Sequence, residues 1–264
     1  METGGNMRKI EFLGNKNGKT IMAILILLFM GFSFFNIACS KTEEIPEPLF
    51  WINGTHAVLT KVNGADINRF GTLPANSVNR TRVRNTLESF WDITSREDLD
   101  YMIDTLAVGR HNPMFLEEAE EYGITSMTRE EFESELANVN DREAIMYFRN
   151  MFEAYETFGE QAILGWDLSR ATQLSAFGYV AGFYTYDEAI EKALAVGRII
   201  QSHFNSWDEF YNSYFFGYAY WSEDDLDDSQ SEYIRRINIF NELKSDPNSP
   251  LALDWFLDLE LQLQ

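Results

Sequence analysis

The side chains with the clearest chemical potential are Asp167 and Arg170, which stand three positions apart in the run Gly-Trp-Asp-Leu-Ser-Arg-Ala. This spacing places a carboxylate and a guanidinium on one face of a helix, where they can meet. The pair can act as an anion clamp, with Arg170 binding the anion, Asp167 orienting it, and Trp166 and Tyr179 as walls. The alternative is a structural ion pair that fixes the helix against its neighbours.

The three histidines are His56, His111 and His203, and none has a second histidine or a cysteine at metal-ligand spacing. We therefore expect no metal site and no cofactor. His111 follows a predicted helix and can join Asp167 in space as an acid and base pair. Alternatively, His111 caps the carbonyls at the helix end or faces solvent. His203 is predicted to be a satisfied histidine at a helix end.

The segment from Trp207 to Trp221 is unusually rich in aromatic residues, with more rings than one helix stripe can bury. Exposed members, with Trp207, Tyr214 and Trp221 as candidates, would suit a protein, peptide or glycan partner, because Tyr and Trp give contact area at low entropic cost. Packing between helices is the alternative interpretation.

The elements that must position these residues are predicted to be helices. A hydroxyl residue precedes a glutamate by three positions at Thr94, Thr128, Thr185 and Ser206, which is the spacing of a capping box. Glycines 109, 123 and 182 stand where helices should end. The sequence predicts an all-α domain of seven to eight helices, four of them over about residues 140–164, 166–180, 229–243 and 250–261.

Residues 50–63 are ambiguous, because two apolar runs flank Asn53-Gly54. That pattern is compatible with a small β-hairpin, and a short helix is the alternative.

Several spaced elements carry a resemblance to a bacterial family known as domain of unknown function 1266, whose hallmark is a Trp-Asp-Leu-x-Arg-Ala helix. That helix corresponds here to residues 165–171, and further elements are similar at 91–99, 109–115, 178–183, 188–189, 204–210, Gly217 and Trp221. The resemblance covers about residues 85–221. It implies an all-α domain and no established activity.

Composition bounds the domain count and the partners. The 264 residues are 45% apolar, enough for one sizeable core, and the formal net charge is −21. Such a surface repels nucleic acid, whose binding needs Lys and Arg against phosphates. We expect one domain over residues 49–264 and no nucleic-acid partner.

The first forty residues predict export. Residues 1–38 combine a basic leader with an uncharged apolar stretch that ends in Asn-Ile-Ala before Cys39, the only cysteine. This end resembles a lipobox, so we expect a signal peptide and lipidation of Cys39, although an uncleaved signal anchor would read similarly. Residues 39–48 are acidic and Pro-bearing, as in a tether.

The sequence thus favours a lipid-anchored protein of the bacterial cell envelope that faces the periplasm or the exterior. The helical domain is expected to be a binding or interaction module. An enzyme, for example a hydrolase, is the alternative, and it requires Asp167, Arg170 and His111 to converge in one water-accessible pocket.

Overall fold

The computed structural model describes residues 45–222, 224 and 228–261. These residues form eleven α-helices and no strand, so the predicted all-α class is confirmed, whereas the predicted number of helices is too low. The α-helices are α1 Glu47–Thr55, α2 Ala57–Val62, α3 Ser77–Trp91, α4 Arg96–Ala107, α5 Asn112–Glu121, α6 Arg129–Leu136, α7 Arg142–Phe158, α8 Leu164–Ala181, α9 Tyr186–His203, α10 Trp207–Ser222 and α11 Glu232–Ser245. Several of the additional helices span fewer than three turns, too short for a clear periodicity.

The ambiguous segment near the N-terminus is helical, so the hairpin alternative is wrong. Asn53 and Gly54 lie inside α1 instead of forming a turn. The Asn53 side-chain amide donates to the Ile67 carbonyl at 2.9 Å. A Cβ at Gly54 would lie 2.7 Å from the Trp207 ring. The glycine therefore serves close packing of α1 against α10 and not a tight turn.

Helix α8 is the centre of the main core and is buried along nearly its whole length, with α3, α4, α9 and α10 packed around it. Two glycines allow α8 and α10 to approach closely. A Cβ at Gly165 would lie 2.5 Å from the Phe210 carbonyl oxygen, and one at Gly217 would lie 2.3 Å from the Trp166 Cβ. Any larger residue at either position would push the two helices apart.

A smaller apolar cluster lies beside the main core and is built from α5, α6, α7 and the segments that join them. Phe132 of α6 stacks on Phe152 of α7 with ring centroids 4.2 Å apart. Phe115 of α5 meets Tyr220 of α10 edge to face at 5.2 Å. Helix α10 therefore contributes side chains to both clusters.

Two predicted capping boxes, at Thr128 and Thr185, are present as expected. The box predicted at Thr94 is displaced by one residue, because Ser95 caps α4 and Asp98 returns to the Ser95 amide. At the start of α10, the Ser206 hydroxyl accepts from the Glu209 amide as predicted, but the carboxylate of Glu209 accepts from the Asn205 amide instead.

The predicted helix over residues 250–261 is wrong. Only a single 3-10 turn, Pro250–Ala252, is helical there. The chain beyond it runs irregularly over the core and buries Trp255 and Leu259. The Gln201 amide nitrogen of α9 donates to the carbonyls of Trp255 (2.7 Å) and Leu257 (2.9 Å), which supplies partners that a helix would otherwise provide.

The described residues begin after the expected signal peptide and after the first part of the expected tether, residues 39–44, which includes Cys39. The end of that tether already belongs to the domain, because Ile45 packs against the main core and α1 begins at Glu47. None of the helices in the described ranges combines the length and the apolar character needed to cross a bilayer.

Candidate functional site

Asp167 lies where the first turn of α8 meets the start of α5, and it is fully buried. One carboxylate oxygen, Oδ2, accepts from the backbone amides of His111 (2.7 Å) and Asn112 (3.1 Å). The other, Oδ1, is 2.6 Å from His111 Nδ1 and accepts from Arg170 Nη2 at 2.9 Å. Four donors thus occupy the four lone-pair directions of one carboxylate.

The two backbone contacts make Asp167 the N-terminal cap of α5. No side chain at the start of α5 itself caps the helix, and a carboxylate at a helix N-terminus is favoured by the free amides and the helix dipole. The Asn112 side chain makes a second connection. Its amide nitrogen donates to the Glu160 carbonyl at 2.6 Å, and its amide oxygen accepts from the Ile163 backbone amide at 2.9 Å. The start of α5 is therefore fixed to α8 and to the segment before it.

The contact with Asp167 fixes the orientation and tautomer of His111. An ionised carboxylate only accepts, so the Nδ1 atom must carry the hydrogen in the 2.6 Å contact. Arg170 Nη2 also lies 2.9 Å from that Nδ1, but both atoms are then donors and do not bond. No hydrogen bond among the described residues uses His111 Nε2, and the side chain is 19% exposed. The Nε2 edge is thus the available edge of the ring.

The Arg170 guanidinium contacts two indole rings, 4.2 Å from the centre of Trp166 and 5.5 Å from that of Trp91. Its Nε donates to the Trp166 carbonyl at 3.2 Å, and its side chain is 8% exposed. None of the hydrogen bonds in the described ranges involves Nη1. One arm of the guanidinium fork is therefore uncommitted.

Burial by itself raises the pKa of Asp167, but the hydrogen bond from His111 and the charge of Arg170 outweigh it and lower that pKa below its ordinary value. Burial lowers the pKa of Arg170 to about 10, with Asp167 opposing the shift and the nearby charge of Arg110 adding to it. Both Asp167 and Arg170 are therefore charged at neutral pH. The centre therefore contains one carboxylate, Asp167, and two cations, Arg110 and Arg170.

A family model described as "Protein of unknown function (DUF1266)" matches residues 86–255, well over half of the chain. The chain belongs to this family. The match includes the whole Asp167 centre and extends beyond the expected limit of about 221, so that it also covers α11 and Trp255. No curated protein and no solved structure matches the chain.

The five aromatic residues proposed as ligand-binding candidates lie at three places in this DUF1266 protein. Trp166, Tyr214 and Trp221 lie together, with the Trp166 ring 5.2 Å from Tyr214 and 5.9 Å from Trp221. Tyr179 packs instead against Tyr186 at 5.1 Å. Trp207 lies 5.0 Å from Trp51 in the main core. Trp207 and Tyr214 are buried, whereas Tyr179 and Trp221 are partly buried.

Sequence reasoning missed three residues of this region of the DUF1266 domain. Trp91 and Asn112 stand out in the sequence only as members of the family-like elements at 91–99 and 109–115, and the partners of Asn112 are backbone groups that no spacing reveals. Arg236 of α11 is 6% exposed, donates to the Tyr214 hydroxyl at 2.8 Å and stacks on Tyr218 at 4.1 Å. Its spacing to these tyrosines in sequence indicates nothing, since the contact is between helices.

Asp167, Arg170 and His111 thus converge, as the enzyme hypothesis requires. They do not line either of two surface depressions found on the described residues. One, of about 440 Å³, follows the exposed face of α3, and the other, of about 430 Å³, lies between the ends of α7 and α9 and the start of α10. The Asp167 carboxylate is closed to solvent. Only the edges of the His111 and Arg170 side chains are exposed to solvent.

Proposed function

We propose that this DUF1266 protein is a lipid-anchored module of the bacterial cell envelope, and that its helical domain binds a single anionic group of a partner at the edge of the Asp167 centre. The observation that carries the proposal is the uncommitted Nη1 arm of Arg170, a cation whose carboxylate partner Asp167 has every lone-pair direction occupied.

Charge selects the class of ligand. The chain carries 42 acidic against 21 basic side chains, yet this centre has two cations, Arg110 and Arg170, for one carboxylate. The surrounding negative charge disfavours a polyanion, whereas one carboxylate can accept a hydrogen bond from the free Nη1 arm of Arg170. The best match is a peptide carboxylate. Half-buried Trp91 and Trp221 flank the centre and would pack against the apolar part of such a ligand.

The anion test uses the full chain and acetyl-glycine as a minimal carboxylate probe. Binding is followed through the imidazole Cε1–H signal of His111 and measured by calorimetry. Arg110 is exposed and makes no ion pair with a described residue. We expect Arg110→Gln to weaken binding roughly fivefold, since an exposed charge contributes about 1 kcal/mol.

Lys244→Gln, which removes an exposed cation of α11, is the matched control and should leave the affinity unchanged. The amide analogue acetyl-glycinamide should not bind. If acetyl-glycine fails to shift the His111 signal, or if both variants lose affinity equally, the proposed anion site is wrong.

An enzyme is the second candidate, and one observation favours it. Asp167 holds His111 through Nδ1, which leaves Nε2 as the acceptor of the neutral imidazole, the arrangement needed in a general base. Hydrolysis of a panel of p-nitrophenyl esters would test it. The enzyme version predicts turnover that His111→Gln abolishes while acetyl-glycine binding persists. The binding version predicts no turnover in either protein.

The anchor is tested separately. We expect cells that express the full chain to incorporate labelled palmitate into it, and Cys39→Ala to lose the label, because no other cysteine is present. The membrane fraction should lose the variant as well. Membrane retention of unlabelled Cys39→Ala would favour the uncleaved signal anchor.

A further inference from the structure

The depression between α7, α9 and α10 is separate from the Asp167 centre and has a different chemistry. Phe158, the last residue of α7, and Phe204, which follows α9, form its floor, with ring centroids 6.3 Å apart and nearly perpendicular. Phe204 is buried and Phe158 is partly buried. The aromatic surface that the depression exposes is therefore that of Phe158, which lies over the buried Phe204.

Polar side chains without protein partners surround this floor. Gln161, His203 and Asn212 line the depression, and none of their side chains makes a hydrogen bond with another described residue. The expectation that His203 ends a helix is confirmed, because it is the last residue of α9, and its side chain is exposed. These groups are available to a ligand.

Asn205 and Glu209 complete the rim. Glu209 Oε2 accepts from the Asn205 amide at 2.7 Å and from its side-chain nitrogen at 3.1 Å. The hydrogen bonds of the described residues leave Glu209 Oε1 and the Asn205 side-chain oxygen uncommitted. The rim thus offers donors from amide and imidazole nitrogens and acceptors from amide and carboxylate oxygens.

The walls of the depression are held by buried contacts. The Ser213 hydroxyl of α10 lies 3.1 Å from the Gln161 carbonyl and 3.2 Å from the Ala162 carbonyl, so it fixes the segment after α7. The Trp255 indole donates to the Phe204 carbonyl at 2.8 Å. A site fixed in this way binds without having to order its own backbone.

We infer that this depression binds a neutral saccharide. No lysine or arginine is among the described residues that line it, so it is unsuited to an anion. An amine ligand would use only the acceptors, whereas each sugar hydroxyl both donates and accepts, as the rim does. The partly exposed ring of Phe158 suits the apolar face of a pyranose ring, and about 430 Å³ lies within the size range of small-ligand sites.

The three histidines make the test specific, because His203 lies in this depression, His111 at the Asp167 centre and His56 in the core. The full chain is titrated with maltose and with N,N′-diacetylchitobiose while the three imidazole Cε1–H signals are followed. We expect at least one disaccharide to shift the His203 signal with millimolar or tighter affinity, and the His111 signal to stay in place.

Gln161→Ala and Asn212→Ala each remove one hydrogen-bonding group from the rim and should weaken binding roughly fivefold to tenfold. Asn85→Ala, which removes an exposed amide from the other depression on α3, is the matched control and should bind as wild type does. Thermal unfolding of all three variants checks that they remain folded.

The inference fails if neither disaccharide shifts the His203 signal at millimolar concentration. It also fails if putrescine shifts that signal and the saccharides do not, which would indicate a cation site. A shift that survives both rim substitutions unchanged would place the sugar elsewhere. None of these outcomes bears on acetyl-glycine at His111, so the two sites are tested independently.

Discussion

Helix α8 borders two buried polar regions that differ in how completely their groups are paired. At its start, Asp167 has four donors around one carboxylate. Further along, Thr172 meets Thr55 of α1 at 2.7 Å in a neutral cluster at the junction of α1 and α2. There, His56 Nε2 and Asn53 Oδ1 are buried without a partner.

The difference follows from the cost of burial. An ionised carboxylate without partners is too costly to keep in a core, whereas one unpaired neutral atom costs only about 1 to 3 kcal/mol. The Asp167 carboxylate must therefore be fully paired, whereas single atoms of the neutral region can stay unpaired. Substitutions should affect the two regions very differently.

The largest effect should come from removing the charge at the complete region. We expect Asp167→Ala to lower the free energy of unfolding by about 3 to 5 kcal/mol, because it leaves Arg170 buried without its partner and the start of α5 uncapped. Urea unfolding followed by circular dichroism measures the change. The exposed pair of Asp208 with Lys244 is the control, and Asp208→Ala should unfold almost as wild type does. Equal effects of the two variants would contradict the comparison.

The next largest effect should appear with pH. Burial lowers the pKa of His56 from its ordinary value of 6.5 to about 4. The free energy of unfolding is therefore highest above pH 6.5, where His56 is neutral in both the folded and the unfolded protein. It decreases as the pH falls from 6.5 to about 4, because the unfolded protein then binds a proton that the folded protein does not. The loss should amount to about 3 kcal/mol. Urea unfolding at a series of pH values measures it, and His56→Gln should remove the dependence in that window.

Protonation of Asp167 should lower the free energy of unfolding in a lower pH range than protonation of His56 does, so the two regions can be distinguished by pH. Its folded pKa is lowered below 3.8, so its contribution is present above that value and is lost as the pH falls through the folded pKa. A single loss of stability below pH 3.8, with none between 6.5 and 4, would show that His56 does not titrate as a buried group.

The smallest effect should come from replacing the neutral threonine pair. Each hydroxyl also lies within hydrogen-bond distance of a carbonyl three residues earlier in its own helix, so two hydroxyl hydrogens serve three contacts. Because valine has the same shape, the double variant Thr55→Val with Thr172→Val should stay within about 1 kcal/mol of wild type. The two single variants together should cost more than the double variant in a double-mutant cycle. A double variant as unstable as Asp167→Ala would refute the distinction between the regions.

Local sequence signals predicted those parts of the fold that depend on local contacts. The caps at Thr128 and Thr185 need only residues three positions away, so their spacing was sufficient. The same holds for the contact of Asp167 with Arg170 within one helix. The displaced cap at Ser95 shows the limit, because Thr94 and Ser95 are both hydroxyl residues and the glutamate at 97 favoured the wrong one.

The remaining features depend on tertiary contacts that no spacing reveals. The C-terminal segment looks helical, but Gln201 and the burial of Trp255 hold it in an irregular path. The position of Trp91 over Arg170 joins α3 to α8. The aromatic segment of α10 was predicted correctly as a dense group, yet only the packed structure shows that most of its rings are buried.

The cap that Asp167 supplies to α5 also bears on the order of folding. Helix α5 has ten residues and takes its cap from a residue 55 positions later in the chain. A helix of that length is marginal by itself, so it gains its stable first turn only once α8 has formed and docked. The main core should therefore assemble first, and the cluster of α5, α6 and α7 should follow. In hydrogen exchange, the His111 and Asn112 amides should open only together with α8.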